Sequence, residues 1–223
     1  MYKKIQQLSP EWWAIKVAKV SGTRWGQLTS TRENMLIEEL ADEKMNGHCA
    51  VDDCVSDDMQ FGIDNESIAI DKYELMSGLK FKRGGVLISD DFPSVHMASP
   101  DGYNDDNPDY LIVLEAKCTM HGKTHLKRFR NGIDSKYLDQ VENYFAVEPK
   151  VQEVRWISYC PFRPEREIIE IIFKRDTVVE FKEMKTKTVI KTIQDNVNDG
   201  LVKIAGLEKE INELINNFKQ LEF

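Results

Sequence analysis

Leu111-Ile112-Val113-Leu114-Glu115-Ala116-Lys117 is an apolar run that ends in an acid and a base two residues apart. In a strand the side chains alternate faces, so Glu115 and Lys117 point the same way and Ala116 points opposite. Fourteen residues before Glu115 stands Asp101, in Ser99-Pro100-Asp101-Gly102. A loop Asp beside the strand end completes a set of two carboxylates and one ammonium. Such a set binds a hard divalent cation and places a cationic nitrogen where a water nucleophile is activated. An acid-x-Lys pair alone is more often a solvated strand edge, so the neighbouring sequence has to carry the reading.

Outward from that run, Val86 to Ser89, Val95 to Ala98 and Tyr110 to Lys117 read as strands. Loop signals separate them at Asp90-Asp91-Phe92-Pro93 and at Asp101 to Pro108. Val154 to Tyr159 and Ile168 to Lys174 add two more. Upstream, Pro10 to Lys19 reads as a helix with Ser9 as N-cap and Pro10 in the first position. Ser30 to Lys44 predicts a second helix, and the acidic stretch to Asp58 a loop.

Asp64 to Met76 predicts a helix whose Ile63, Glu66, Ile70 and Tyr73 share one face. Glu66 is then a carboxylate on an apolar side, costly unless it is paired or meets a metal. After a basic loop, Ser135 to Val147 predicts a helix with Tyr137, Gln140, Val141 and Tyr144 on one face, so Gln140 also interrupts an apolar stripe. From Glu183, the 3–4 spacing of Ile190, Ile193, Val197, Ile204, Leu207, Ile211, Leu214, Phe218 and Leu221 predicts a long amphipathic helix or helical hairpin. Gly200 and Gly206 are the expected breaks. The expected division is residues 1–182 as one α/β domain with a mixed sheet, and 183–223 as a helical extension, packed on the core or used in oligomerisation.

The 223 residues are 41% hydrophobic, enough for a core, and no apolar run approaches membrane-spanning length. The N-terminal Met1-Tyr2-Lys3-Lys4 lacks the apolar stretch of a signal peptide, so a cytoplasmic location is expected. Cys49, Cys54, Cys118 and Cys160 are scattered, fit neither a zinc pattern nor a clustered iron–sulfur set, and read as reduced thiols. The net charge of −8 is unevenly spread. Residues 38–58 hold eight acids against Lys44, whereas residues 117–136 hold six bases against Asp134, with His121 and His125 in addition. The basic surface therefore begins at Lys117; a phosphate-binding groove beside an acidic metal site would produce this asymmetry, and on charge alone a solvated loop would do so equally well. Trp12 and Trp13 read as packing residues rather than base-stacking platforms.

Asp101 with Glu115-Ala116-Lys117 resembles the core of the PD-(D/E)XK nucleases, a restriction-endonuclease-like α/β fold with a mixed central sheet flanked by helices. Gly62-Ile63-Asp64-Asn65-Glu66, Tyr137-Leu138-Asp139-Gln140, Trp12-Trp13-Ala14-Ile15-Lys16 and Ser21-Gly22-Thr23 accompany it in order. Together, over residues 9 to 175, they resemble the phage lambda exonuclease or YqaJ-type viral recombinase family.

That resemblance implies Mg²⁺, replaceable by Mn²⁺, on Asp101, Glu115 and the Ala116 carbonyl. Lys117 would orient or help deprotonate the attacking water, Gln140 would hold that water or a phosphate oxygen, and Glu66 would reach a metal-bound water or second ion. Lys16, Thr23 and Ser99 match the pocket for the 5′-terminal phosphate, with Lys16 where an Arg is usual and Thr23 where a Ser is usual. Tyr137, Lys127, Arg128 and Arg130 are expected along the DNA backbone.

The implied activity is 5′-to-3′ degradation of linear double-stranded DNA, leaving 3′ tails for recombination or repair. A trimeric ring and a single-strand annealing partner are implied as well. An endonuclease on the same core and a catalytically idle DNA-binding module are the alternatives.

Overall fold

The structure, a computed structural model, describes residues 2–49, 56–183 and 187–220. Asp52, Asp53, Cys54 and Leu221 lie outside these described residues. β1 (Tyr2–Lys3) is followed by α1 (Pro10–Lys16), α2 (Gly22–Leu28), α3 (Glu33–Asn46) and α4 (Asp57–Ser77). Next come β2 (Lys82–Arg83), β3 (Val86–Ile88), β4 (Met97–Ala98), β5 (Gly102–Asn104) and β6 (Leu111–Cys118). Then follow α5 (Gly122–Asn131), α6 (Ser135–Val147), β7 (Val151–Tyr159), β8 (Ile168–Phe173), β9 (Val178–Glu183), β10 (Lys187–Thr192) and α7 (Ile193–Gln220).

The central sheet has 5 strands in the order β2-β5-β6-β7-β8. β6 and β7 are parallel and the other pairs antiparallel, which makes the sheet mixed. A parallel pair needs a crossover, and α5 with α6 supplies it. Because both faces of β6 are covered, Leu111 to Ala116 is buried throughout, and the strand reads as a continuous apolar run rather than an alternating one. β1, β3 and β4 form a separate 3-stranded sheet, and β9 pairs with β10. The main core joins β6 and β7 through Val113, Val154 and Trp156 to α6 through Val141 and Phe145, and to α7 through Ile193, Val197, Ile204, Leu207 and Ile211.

Several elements differ from the sequence expectations. α1 stops at Lys16, short of the expected Lys19, whereas α3 runs from Glu33 to Asn46, close to the expected Ser30–Lys44. α4 starts at Asp57 rather than Asp64, because Ser56 Oγ accepts the Met59 N–H at 3.3 Å and Asp57 and Asp58 suit the positive end of the helix. Ile63 points to solvent at 54% exposure, while Ile70 and Tyr73 of the same stripe are buried. The basic loop after β6 is the helix α5; its inward residues are His125 and Arg128, so it carries no apolar periodicity to read.

The C-terminal helix begins at Ile193, not near Glu183. Ile190 belongs to β10, where it pairs with Glu180. Neither Gly200 nor Gly206 breaks α7. A Cβ on Gly200 would fall 2.2 Å from the Trp25 indole, so this glycine permits close helix packing. Cys49, Cys118 and Cys160 are free thiols.

Candidate active site

Register brings the acidic residues together. β5 and β6 run antiparallel with Gly102 opposite Leu114, so Asp101, one residue before β5, lies beside Glu115 and Ala116. Its Oδ2 accepts the Ala116 N–H at 2.8 Å. Glu115 is 2% exposed and Asp101 8%. Lys117, on the same strand face as Glu115, donates from Nζ to Glu115 Oε1, and Tyr144 of α6 donates its hydroxyl proton to Glu115 Oε2. Tyr144 was read from sequence only as part of an apolar stripe; its position one turn after Gln140 was the available signal.

The cluster carries more acid than base. Burial pushes the Asp101 carboxyl well above the usual carboxylate range; Glu115 and Glu66 add to this and Lys117 opposes it. Glu66, half-buried on α4, is raised by burial and by Glu115, against Lys117 and Arg83. Burial works to lower the Lys117 pKa, but Glu115 and Asp101 outweigh it, so the group is held as an ammonium. Gln140 Oε1 is buried with no hydrogen-bond partner among the described residues, and α2 packs closely over this residue, with a Cβ on Gly22 falling 2.9 Å from Gln140 Cγ.

A hard divalent cation fits this donor set, since mutual repulsion between buried carboxylates is what such an ion relieves. Among the described residues no three His, Cys, Asp or Glu side chains form a complete cage by themselves. The ion would therefore rest on Asp101 and Glu115 with backbone and solvent oxygens.

The sequence model of the YqaJ-like viral recombinase domain matches residues 11–150, which include every residue of this cluster. The chain belongs to that family. No curated protein sequence matches it. Among solved structures, an alkaline exonuclease (LHK-Exo) from Laribacter hongkongensis superposes with a TM-score of 0.72 at 20% identity, over 96% of this chain and 100% of the other. The same protein in complex with dAMP gives the same values. A phage-related exonuclease from Haemophilus somnus 129PT gives a TM-score of 0.56 at 13% identity, over 90% of this chain and 96% of that one. At such identities the likeness establishes the fold of this recombinase domain.

The residues expected around a DNA end are only partly gathered in this YqaJ-like domain. Lys16 Nζ lies 4.9 Å from the ring centroids of both Trp12 and Trp13, and burial lowers its pKa, with Arg24 contributing. Trp12 Nε1 donates to Ser99 Oγ at 2.9 Å, which joins Lys16 to Ser99. Ser99 Oγ spends its own proton on the Gly85 carbonyl at 3.2 Å, so it has no donor left for a phosphate oxygen. Thr23 Oγ1 is 3.5 Å from Ser21 Oγ, an exposed pair at the start of α2.

Arg128, expected on the DNA backbone, is turned inward. It is 7% exposed and donates to the Lys117 carbonyl at 3.1 Å and to Ser158 Oγ at 3.0 Å, thereby bracing the strand end. Lys127 and Arg130 are exposed, and Lys127 pairs with Asp134 at 2.8 Å. Tyr137 lies beneath Lys117, with Nζ 5.7 Å from its ring centroid. His125 is a core residue, bonded to Ser158 Oγ and to the Arg166 carbonyl, both at 2.9 Å. No helix among the described residues is long and apolar enough to cross a membrane.

Proposed function

We propose that the protein is a divalent-cation-dependent deoxyribonuclease that degrades linear duplex DNA from its 5′ ends and leaves 3′ single-stranded tails. The observation that carries this reading is the buried Asp101–Glu115–Lys117 cluster at the junction of β5 and β6, with excess negative charge. Mg²⁺ on Asp101, Glu115 and the Ala116 carbonyl, or Mn²⁺ in its place, would supply Lewis acidity to the scissile phosphate and ease deprotonation of the attacking water.

The protein's own groups orient the reactants and balance charge. Lys117, held as an ammonium, places positive charge against the phosphoryl oxygens as negative charge accumulates on them. It is a poor base in that state, which favours orientation of the water over removal of its proton. Gln140, whose buried amide oxygen has no partner among the described residues, would accept a hydrogen bond from the water, and Glu66 interacts electrostatically with Glu115 and Lys117 from α4. The water oxygen bonds to phosphorus and the bond to the 3′ oxygen breaks. That oxygen leaves as the 3′-hydroxyl of the released nucleotide after taking up a proton from solvent, and the scissile phosphate stays on the new 5′ end of the remaining strand. The dAMP complex of the L. hongkongensis protein supports a mononucleotide product.

Lys16 would meet the 5′-terminal phosphate, with Thr23 as the nearby hydroxyl donor and Ser99 fixing Trp12. Lys127, Arg130 and Tyr137 would follow the backbone. A homotrimeric ring and a single-strand annealing partner complete the family reading; light scattering tests the ring.

The test is digestion in Mg²⁺ of three matched substrates: linear duplex with 5′-phosphate, the same duplex with 5′-hydroxyl, and a covalently closed circle. The expected result is loss of the linear forms with the circle intact, fastest from the phosphorylated end. Cutting of the circle would make the protein an endonuclease on the same core, and the roles of Lys16 and Thr23 would fall.

A further inference from the structure

Tyr144 is 4% exposed, and its hydroxyl stands between two acceptors. It donates to Glu115 Oε2 and lies 3.3 Å from the Ser99 carbonyl oxygen, which also receives Gln7 Nε2 at 3.4 Å. A phenol has one proton to give, so it serves one of these acceptors at a time. The other face of Ser99 is tied to Trp12 through its Oγ, and Trp12 carries Lys16 over its ring. An unbroken chain of contacts thus runs from Lys16 through Trp12, Ser99 and Tyr144 to Glu115. It also spans the segment that bears Asp101, two residues after Ser99.

We propose that Tyr144 is a positioning residue that orients Glu115 for the cation and couples the Trp12–Ser99 patch to that site. The inference rests on the metal-site reading given above. With its proton on Glu115, the phenol fixes one carboxylate oxygen and so sets the direction of the lone pairs left for an ion. Such outer contacts are worth a tenfold to hundredfold change in metal affinity. With its proton on Ser99, it ties α6 to the loop that carries Asp101. A phosphate drawn to Lys16 would pull on Trp12 and Ser99, and Tyr144 is the group through which that pull reaches Glu115.

The test is calorimetric titration of the full chain with Mn²⁺, which needs no turnover. Tyr144→Phe keeps the ring and removes only the hydroxyl; it should weaken Mn²⁺ binding by about 10–100-fold. Trp12→Phe removes the N–H donated to Ser99 while keeping an aromatic face for Lys16. It should weaken Mn²⁺ binding several-fold in the native background and leave it unchanged in the Tyr144→Phe background, because coupled sites fail to add.

Native Mn²⁺ affinity in Tyr144→Phe, with or without a lower melting temperature, would overturn the positioning role. An equal effect of Trp12→Phe in both backgrounds would overturn the coupling. Glu115→Ala separates this inference from the reading beneath it. If that variant binds Mn²⁺ as tightly as the native protein, the metal site itself is misassigned, whatever Tyr144 does.

Discussion

Two clusters of buried charge, one anchored by Arg24 on α2 and one at the junction of β5 and β6, are built to opposite ends. In the first, Arg24 lies 2.5 Å from carboxylate oxygens of both Glu39 and Glu43 and donates to the Lys19 carbonyl at 3.0 Å. Glu43 is 2% exposed, and its Oε2 also accepts the Ala18 N–H at 2.9 Å. That bond helps to hold Ala18 at φ 55, a left-handed conformation unfavourable for a residue with a side chain. Burial would raise the Glu43 pKa, but the bonds from Arg24 and Ala18 win and hold the carboxyl below its ordinary value. In the second, Asp101, Glu115 and Glu66 face the single ammonium of Lys117, and Asp101 is pushed up instead of down. A cluster whose charges are all met fixes structure; one left with surplus charge holds a demand that a cation and a phosphate can fill.

The largest effect expected from breaking this contrast is on chemistry. Glu115→Ala should lower turnover on linear duplex by about a thousandfold or more, the scale seen when a group stabilising transition-state charge is lost. Any fall in melting temperature should be too small to account for that loss. A pure variant that digests DNA at the native rate would end the assignment.

Glu43→Gln should show the reverse. Breaking this buried ion pair leaves Arg24 with Glu39 alone and should cost about 3 kcal/mol in urea unfolding, with turnover per folded molecule near native. A cost within experimental error would mean that the two clusters are not different in kind.

A third polar group sharpens the comparison through pH. Glu142 is buried, accepts from Trp25 Nε1 at 3.2 Å and from Asn196 Nδ2 at 2.7 Å, and so ties α7 to α2 and α6. Burial first, and Asp139 next, push its carboxyl up to about 7. A folded pKa above the unfolded one favours the protonated form. The stability it contributes is therefore full below about pH 4.5 and is lost as pH rises through about 7, at most about 3 kcal/mol. Glu142→Gln should flatten that loss between pH 5 and pH 8 in urea unfolding; parallel profiles for the two proteins would contradict it.

The smallest effect belongs to the exposed surface. Arg130→Gln should weaken DNA binding modestly and reduce the salt slope by about one. An unchanged slope would remove Arg130 from the interface.

The strand carrying Glu115 and Lys117 was legible because burial on both faces leaves an apolar run, and an acid and a base within it cannot be there for packing. The same logic exposed Glu66 and Gln140 as polar intruders on helix stripes. α5 was not legible, because its buried face is made of His125 and Arg128, whose partners Ser158, Arg166 and Lys117 are distant in sequence or offered through backbone. The inward turn of Arg128 was hidden for the same reason. β10 was read as the start of the C-terminal helix because Ile190 and Ile193 happen to be three residues apart, while strand pairing depends on a partner the spacing does not name. Tyr144 could be placed on a face but not beside Glu115, since that contact joins residues 29 positions apart.

The most direct measurement pairs stability with activity in Asp101→Asn. Asn keeps an oxygen to accept the Ala116 N–H and removes one of the crowded negative charges. In EDTA the variant should melt higher than the native protein by a few degrees, the usual return on about 1 kcal/mol. In Mg²⁺ it should not degrade linear duplex. A variant that melts lower while still digesting DNA would contradict the claim that surplus buried charge at Asp101 and Glu115 is the working part of this protein.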